Sequence, residues 1–148
     1  MAYEDLVRSH VERCLQDIWD VRAPEVDGDG DYPFRATSSV GWVRVEPQRP
    51  VLVRVFAHAA YDVKRSAALL KEINALNVRA RFATVSWAAG VVSVQSALPA
   101  EEVARGTLRL ALDTVTAVAD DISVLTAAVY GGRLPALPCD AGGMPSEG

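Results

Sequence analysis

The sequence predicts an α+β domain, with a single antiparallel sheet of about five strands accompanied by an N-terminal helix, a middle helix and a long C-terminal helix. Three observations carry this expectation. Three segments space their apolar residues three and four apart, the period that lines one side of a helix. Between them lie segments that alternate apolar and polar residues with period two, as half-buried strands do. Those strands are joined in pairs by short turns, so neighbours run antiparallel and the order reads α-β-β-β-α-β-β-α.

The first helix is expected over about residues 4 to 20, with Leu6, Val7, Val11, Leu15, Ile18 and Trp19 on its apolar stripe and Arg22, Ala23 and Pro24 ending it. An acidic, turn-rich stretch follows from Val26 to Phe34, and residues Phe34 to Thr37 add a short first strand. Val40, Trp42 and Arg44 then point one way while Gly41, Val43 and Val45 point the other. After a turn at Glu46 to Pro50, Val51, Val53 and Val55 alternate against Leu52, Arg54 and Phe56. The second helix is expected from Val63 to Leu76, with Ala67, Leu70, Ile73 and Leu76 inward, Lys64, Arg65, Lys71 and Glu72 outward, and Asp62 as its cap. Arg81 to Trp87 and Val91 to Leu98 make a second hairpin around an Ala-Ala-Gly turn. Pro99 opens the last helix, and Val103, Leu108, Leu112, Val115, Val118, Ile122, Leu125 and Val129 form its stripe, up to Gly131 and Gly132. Residues 1–132 are read as one domain and the Pro/Gly-rich segment 133–148 as a disordered tail.

A chain of 148 residues is the size of one domain. Half the residues are hydrophobic and 23% charged, which excludes an intrinsically disordered chain. No window reaches 18 apolar residues without a charge, and the opening MAYEDLVRSHVERCLQDIWD lacks a basic start followed by an apolar run. A cytoplasmic protein is therefore expected. The net charge of −4 hides a segregation: residues 1–31 sum to −6, residues 32–99 to +6 and residues 100–148 to −4. A basic middle could be a nucleic-acid footprint. The stronger reading is that these arginines, alternating with apolar residues, line one sheet face and are compensated by acidic terminal helices or by a partner.

Templates for chemistry fail one after another. Asp27, Asp29 and Asp31 begin like a calcium loop, but the sixth and twelfth places hold Tyr32 and Ser38 instead of Gly and Glu. His10 and His58 have no ligand at metal spacing, and His58, Ser86 and Asp62 lack the elbow that activates a serine. The pairs Glu101 with Glu102 and Asp120 with Asp121 diverge as adjacent helical residues, the first reading as a helix start and the second as a solvated face. Cys14 and Cys139 have no zinc spacing and read as structural or incidental. No catalytic residue, metal or cofactor is expected, and the chain reads as a non-enzyme. What remains is a set of aromatics on strands, Trp42, Phe56 and Trp87, in a sheet whose two faces cannot both be covered by so few helices.

The acidic turn Asp27-Gly-Asp-Gly-Asp31, the helix LLKEINALN from Leu69 to Asn77, and the hairpin RFATVSWAAGVVSVQSALP together resemble the YbjN family of bacterial sensory transduction regulators. That family is similar in fold to type III secretion chaperones. The likeness spans about residues 4 to 130 and implies a small dimeric α+β domain with no established catalytic residues. The expected function is a non-enzymatic, homodimeric, chaperone-like or regulatory module that holds a client segment on apolar surface through Trp42, Phe56 and Trp87, flanked by Arg44 and Arg54. The alternatives are a small-ligand-binding regulatory domain and a subunit of a larger assembly.

Overall fold

A computed structural model describes residues 2–135. Helix α1 (Tyr3–Trp19) precedes the strands β1 (Tyr32–Arg35), β2 (Val40–Glu46) and β3 (Leu52–Ala60). Helix α2 (Ala67–Arg79), the hairpin β4 (Thr84–Ala88) and β5 (Val91–Pro99), a 3-10 turn (Ala100–Glu102) and α3 (Arg105–Tyr130) complete the elements of the described residues. The five strands form one antiparallel sheet, as expected, and lie in the order β1-β2-β3-β5-β4. α3 lies across the central strands β3 and β5, with α1 beside it and α2 against the edge strand β4.

Strand parity decides the core. Val43, Val45, Val53, Val55, Ala57, Val85, Val92 and Val94 all face the helices and are buried with Val11, Leu15, Leu108, Leu112 and Val115 in one cluster. Gly41 belongs to the same face. The Phe34 ring of β1 lies directly over it, where any Cβ would collide with that ring and with the Phe56 carbonyl. Tyr32, fully buried, donates its hydroxyl to Glu12 of α1 at 2.7 Å; burial and that carboxylate push its phenol pKa up to about 12.

The helices are where tertiary contacts shift the expected faces. In α1 the inward residues are Val7, Val11, Cys14 and Leu15, while Leu6 stays 53% exposed. α2 begins four residues later than expected because Ser66, not Asp62, caps it by accepting the Leu69 amide at 3.1 Å. That start turns Leu69 and Ile73 inward and leaves Leu70 at the surface. Asn77 lies within α2, which runs on to Arg79. Its side-chain amide exchanges two hydrogen bonds with the Val85 backbone, at 2.8 and 2.9 Å. The helix thereby supplies, at Val85, two of the hydrogen bonds that a sixth strand would have given the β4 edge.

Pro99 ends β5 instead of opening a helix, and α3 starts only at Arg105. Its stripe follows expectation through Ile122 and then departs. Ser123 and Thr126 turn inward, and Leu125 and Val129 are 51% and 59% exposed. The cause is polar. Asp120 accepts the amides of Thr37 and Ser38 and the hydroxyls of Ser38 and Ser39, and Ser123 bonds Ser38. The β1–β2 turn is thus clamped onto α3, so Asp120 is a structural anchor and not the solvated residue its neighbour pair suggests. After α3, Arg133 exchanges two backbone hydrogen bonds with Tyr61, both 2.8 Å. The rest of the expected tail, residues 136–148 with Cys139, lies outside the described residues.

Candidate functional site

Among the described residues no helix covers the second face of the sheet, and residues of even parity on β2 and β3 populate it. Trp42 and Phe56 are cross-strand partners whose rings stack at 5.3 Å with 24° between their planes. His58, one pleat further along β3, packs edge-on against Trp42 at 4.8 Å. A bulge between His58 and Ala60 then breaks the alternation: Ala59 and Ala60 are both buried, and Tyr61 returns to the outer side. Its hydroxyl meets His58 Nδ1 at 2.9 Å, and its ring lies 5.4 Å from the imidazole. Trp42, Phe56, His58 and Tyr61 therefore make one continuous aromatic strip, each ring half-buried by its neighbours.

Charged groups flank the strip in closed pairs. Arg44 and Arg54 sit opposite each other in register, an arrangement that would repel without counterions. Asp31, from the acidic turn before β1, takes Arg44 through both carboxylate oxygens, with the shortest contact at 2.7 Å; the guanidinium also lies 4.8 Å over the Phe56 ring. Glu46 takes Arg54 at 2.8 and 3.1 Å, and Gln95 of β5 accepts from the same guanidinium. These bonds raise both arginine pKa values, and the Arg54 hydrogen bonds hold the Glu46 carboxyl below the usual range despite its desolvation. Compensation thus comes from the acidic turn and from β2 itself, not from the terminal helices.

Two hollows of about 280 Å³ each lie on either side of the stacked rings. One, at the β1 edge, is lined by Glu25, Pro33, Arg35, Val40 and Trp42 and reaches Phe34 and Gly41 of the helix-side parity. The other, lined by Arg44, Arg54, Phe56, Ser86, Ser93 and Gln95, lies over the sheet centre. Burial lowers the His58 imidazole pKa and raises that of the Tyr61 phenol, so both are neutral near pH 7. The surface offers extended apolar contact with fixed polar margins.

Four of the five residues singled out from sequence, Trp42, Arg44, Arg54 and Phe56, meet on this face. Trp87 does not join them. It shares the parity of Val85, lies on the helix side and donates its indole N–H to the Val63 carbonyl at 2.7 Å. His58 and Tyr61 were missed. His58 was legible from its even parity on β3, whereas the bulge concealed Tyr61. Among the other candidates, the carboxylates of Asp27, Asp29 and Asp31 cluster within 4.8 Å, but Asp27 Oδ1 accepts the Asp29 and Asp31 amides and Asp31 serves Arg44. His10 bonds the Val103 carbonyl at 2.7 Å, and Cys14 is a buried free thiol.

A one-sided antiparallel sheet with an uncovered aromatic strip defines a binding module. The comparisons agree. The family described as T3SS (YopN, CesT) and YbjN peptide-binding chaperone matches residues 5–137, and the chain belongs to it. Among solved structures, a chain of the ExsC-ExsE complex superposes with TM-score 0.67 at 12% identity, covering 85% of this chain and 97% of that one. A chain of the HopA1-SchA chaperone-effector complex does so with TM-score 0.64 at 8% identity, covering 84% and 98%. At such identities the likeness is one of fold. No curated protein matches the chain. Family and fold together point to a binding module and away from an enzyme. No helix among the described residues is long and apolar enough to cross a membrane.

Proposed function

We propose that this protein is a chaperone-like, peptide-binding module that works in the cytoplasm as a homodimer and holds a client segment in extended form on the uncovered sheet face. The observation that carries the reading is the stacked Trp42–Phe56 pair standing between two hollows on a face no helix covers. An extended segment presents side chains alternately, and the hollows on both sides of the rings would receive them. Arg44 and Arg54, already neutralised, would border the segment without demanding an acidic client. Trp87, packed on the helix side, would support the sheet. Both hollows are open to solvent, which favours a chain segment over an enclosed metabolite. The apolar residues left exposed on the helices, Leu110, Val124 and Val129 of α3 and Val78 of α2, would supply the dimer contact.

Two experiments test this. Light scattering behind size exclusion should give twice the chain mass; a strict monomer contradicts the dimer. A permanently unfolded polypeptide, reduced and carboxymethylated α-lactalbumin, should bind the wild type. The double variant Trp42→Ala/Phe56→Ala should weaken it at least about thirtyfold, the loss of a single aromatic anchor worth about 2 kcal/mol. Lys71→Ala, at an exposed position of α2, should leave binding unchanged. Equal binding by the double variant removes the sheet face from the account.

A further inference from the structure

Of the four rings in the strip, only the imidazole of His58 changes charge in the weakly acid range. It meets Trp42 edge-on at 4.8 Å, lies 6.1 Å from the Phe56 ring and brings Nδ1 to 2.9 Å from the Tyr61 hydroxyl. The imidazole is half-buried among these rings, and Nε2 has no hydrogen-bond partner among the described residues. Its partners in register, Val40 of β2 and Ser93 of β5, are uncharged. Charged groups flank it in closed pairs: Arg44 over Phe56 with Asp31, Arg54 with Glu46, and Arg133 over Tyr61 with Asp62. Arg35 of β1, in register with Val40, adds a further cation, and Glu25 lines the same hollow as Arg35. Among the described residues no carboxylate forms an ion pair with the imidazole.

We infer that His58 is a proton-operated release for the client: the strip holds an apolar segment while the imidazole is neutral and lets it go when the ring is protonated. The inference rests on the reading of this face as a segment-binding surface and adds its regulation. Neutral, the ring is one more flat contact, with Nδ1 satisfied by Tyr61. Protonated, it carries two N–H donors and a charge; Tyr61 then accepts at Nδ1, and the Nε2–H depends on water. A segment lying over the strip removes that water, and no anion of the fold replaces it. The covered state therefore bears a larger penalty for the charge than the open state does. Any attraction between the imidazolium and the Trp42 ring is present with and without the client and cancels from the difference. Burial among the rings already pushes the imidazole below its ordinary value near 6.5, and a covering segment pushes it further the same way. The sign follows by linkage. Binding is independent of this group above the ordinary value and weakens as pH falls through the value of the free chain. The client must in turn lower the imidazole pKa by the same free energy.

Binding of reduced, carbamidomethylated α-lactalbumin, whose capped cysteines add no charge, to the full chain at pH 7.5 and pH 5.5 tests the inference. The wild type should lose affinity severalfold more over this interval than His58→Gln, which cannot take up the proton; the titration of the probe itself is common to both. A second measurement needs no variant. The ring-proton NMR signals of His58 should titrate at lower pH in the complex than in the free chain. Equal losses by the two chains, a wild type that gains on the variant in acid, or a His58 titration that the client leaves in place or raises overturns the inference and leaves the client reading standing. If the unfolded polypeptide fails to bind the wild type at pH 7.5, the client reading falls, and release by His58 falls with it.

Discussion

The two faces of the sheet are made by the same strands, and each residue of β2 and β3 lies one peptide from a neighbour on the opposite face. On the helix side, valines and alanines pack against α1 and α3 until almost nothing is exposed. On the other side, large rings and paired charges shield one another and leave part of their surface in water. The helix side spends its area on cohesion. The outer side keeps part of its apolar surface in water and ties each arginine to a fixed carboxylate.

Substitutions should separate the faces by magnitude. Leu108→Ala, at a fully buried α3 position, is expected to cost about 2–5 kcal/mol in denaturant unfolding, whereas Phe56→Ala should cost under about 2 kcal/mol and act chiefly on client binding. Equal costs would erase the distinction. Gly41→Ala should lose up to about 3 kcal/mol, because the Phe34 ring on one face and the Phe56 carbonyl leave no room for a methyl group. Asp120→Ala releases the β1–β2 turn from α3. Its loss should be about 2 kcal/mol, with faster amide exchange at Thr37 to Ser39.

The smallest effect is a pH slope. Burial lowers the His58 pKa in the folded chain, so the unfolded chain takes up that proton first as pH falls. The stability contributed by neutral His58 is present above the unfolded value near 6.5 and is lost as pH drops below it. Thermal unfolding of His58→Gln between pH 7 and pH 5 should show a shallower decline than wild type. An unchanged slope would mean that the imidazole is as well solvated as in the unfolded chain.

What could be read from sequence follows from how local the deciding contact is. Strand parity on β2, β3 and β5 depends only on the residues themselves, and so Trp42, Arg44, Arg54 and Phe56 were placed on one side correctly. Trp87 was grouped with them because it is aromatic and on a strand, although its parity with Val85 already set it apart. The faces of α2 and of the last two turns of α3 depend on Ser66, Asn77, Asp120 and Ser123. These residues bond to segments distant in sequence or set a helix start, and apolar spacing carries no trace of them. Asp31 is the sharpest case: the acidic run drew attention as a possible calcium loop, while its use is to neutralise an arginine thirteen residues away.

The central claim is that the uncovered face is where a client segment binds. Amide shift mapping of the labelled protein, titrated with carboxymethylated α-lactalbumin, addresses it directly. The account predicts that the largest shifts fall on Trp42, Arg44, Arg54, Phe56 and His58. Shifts concentrated instead on Leu110, Val124 and Val129 of α3 would contradict it and move the binding surface to the helices.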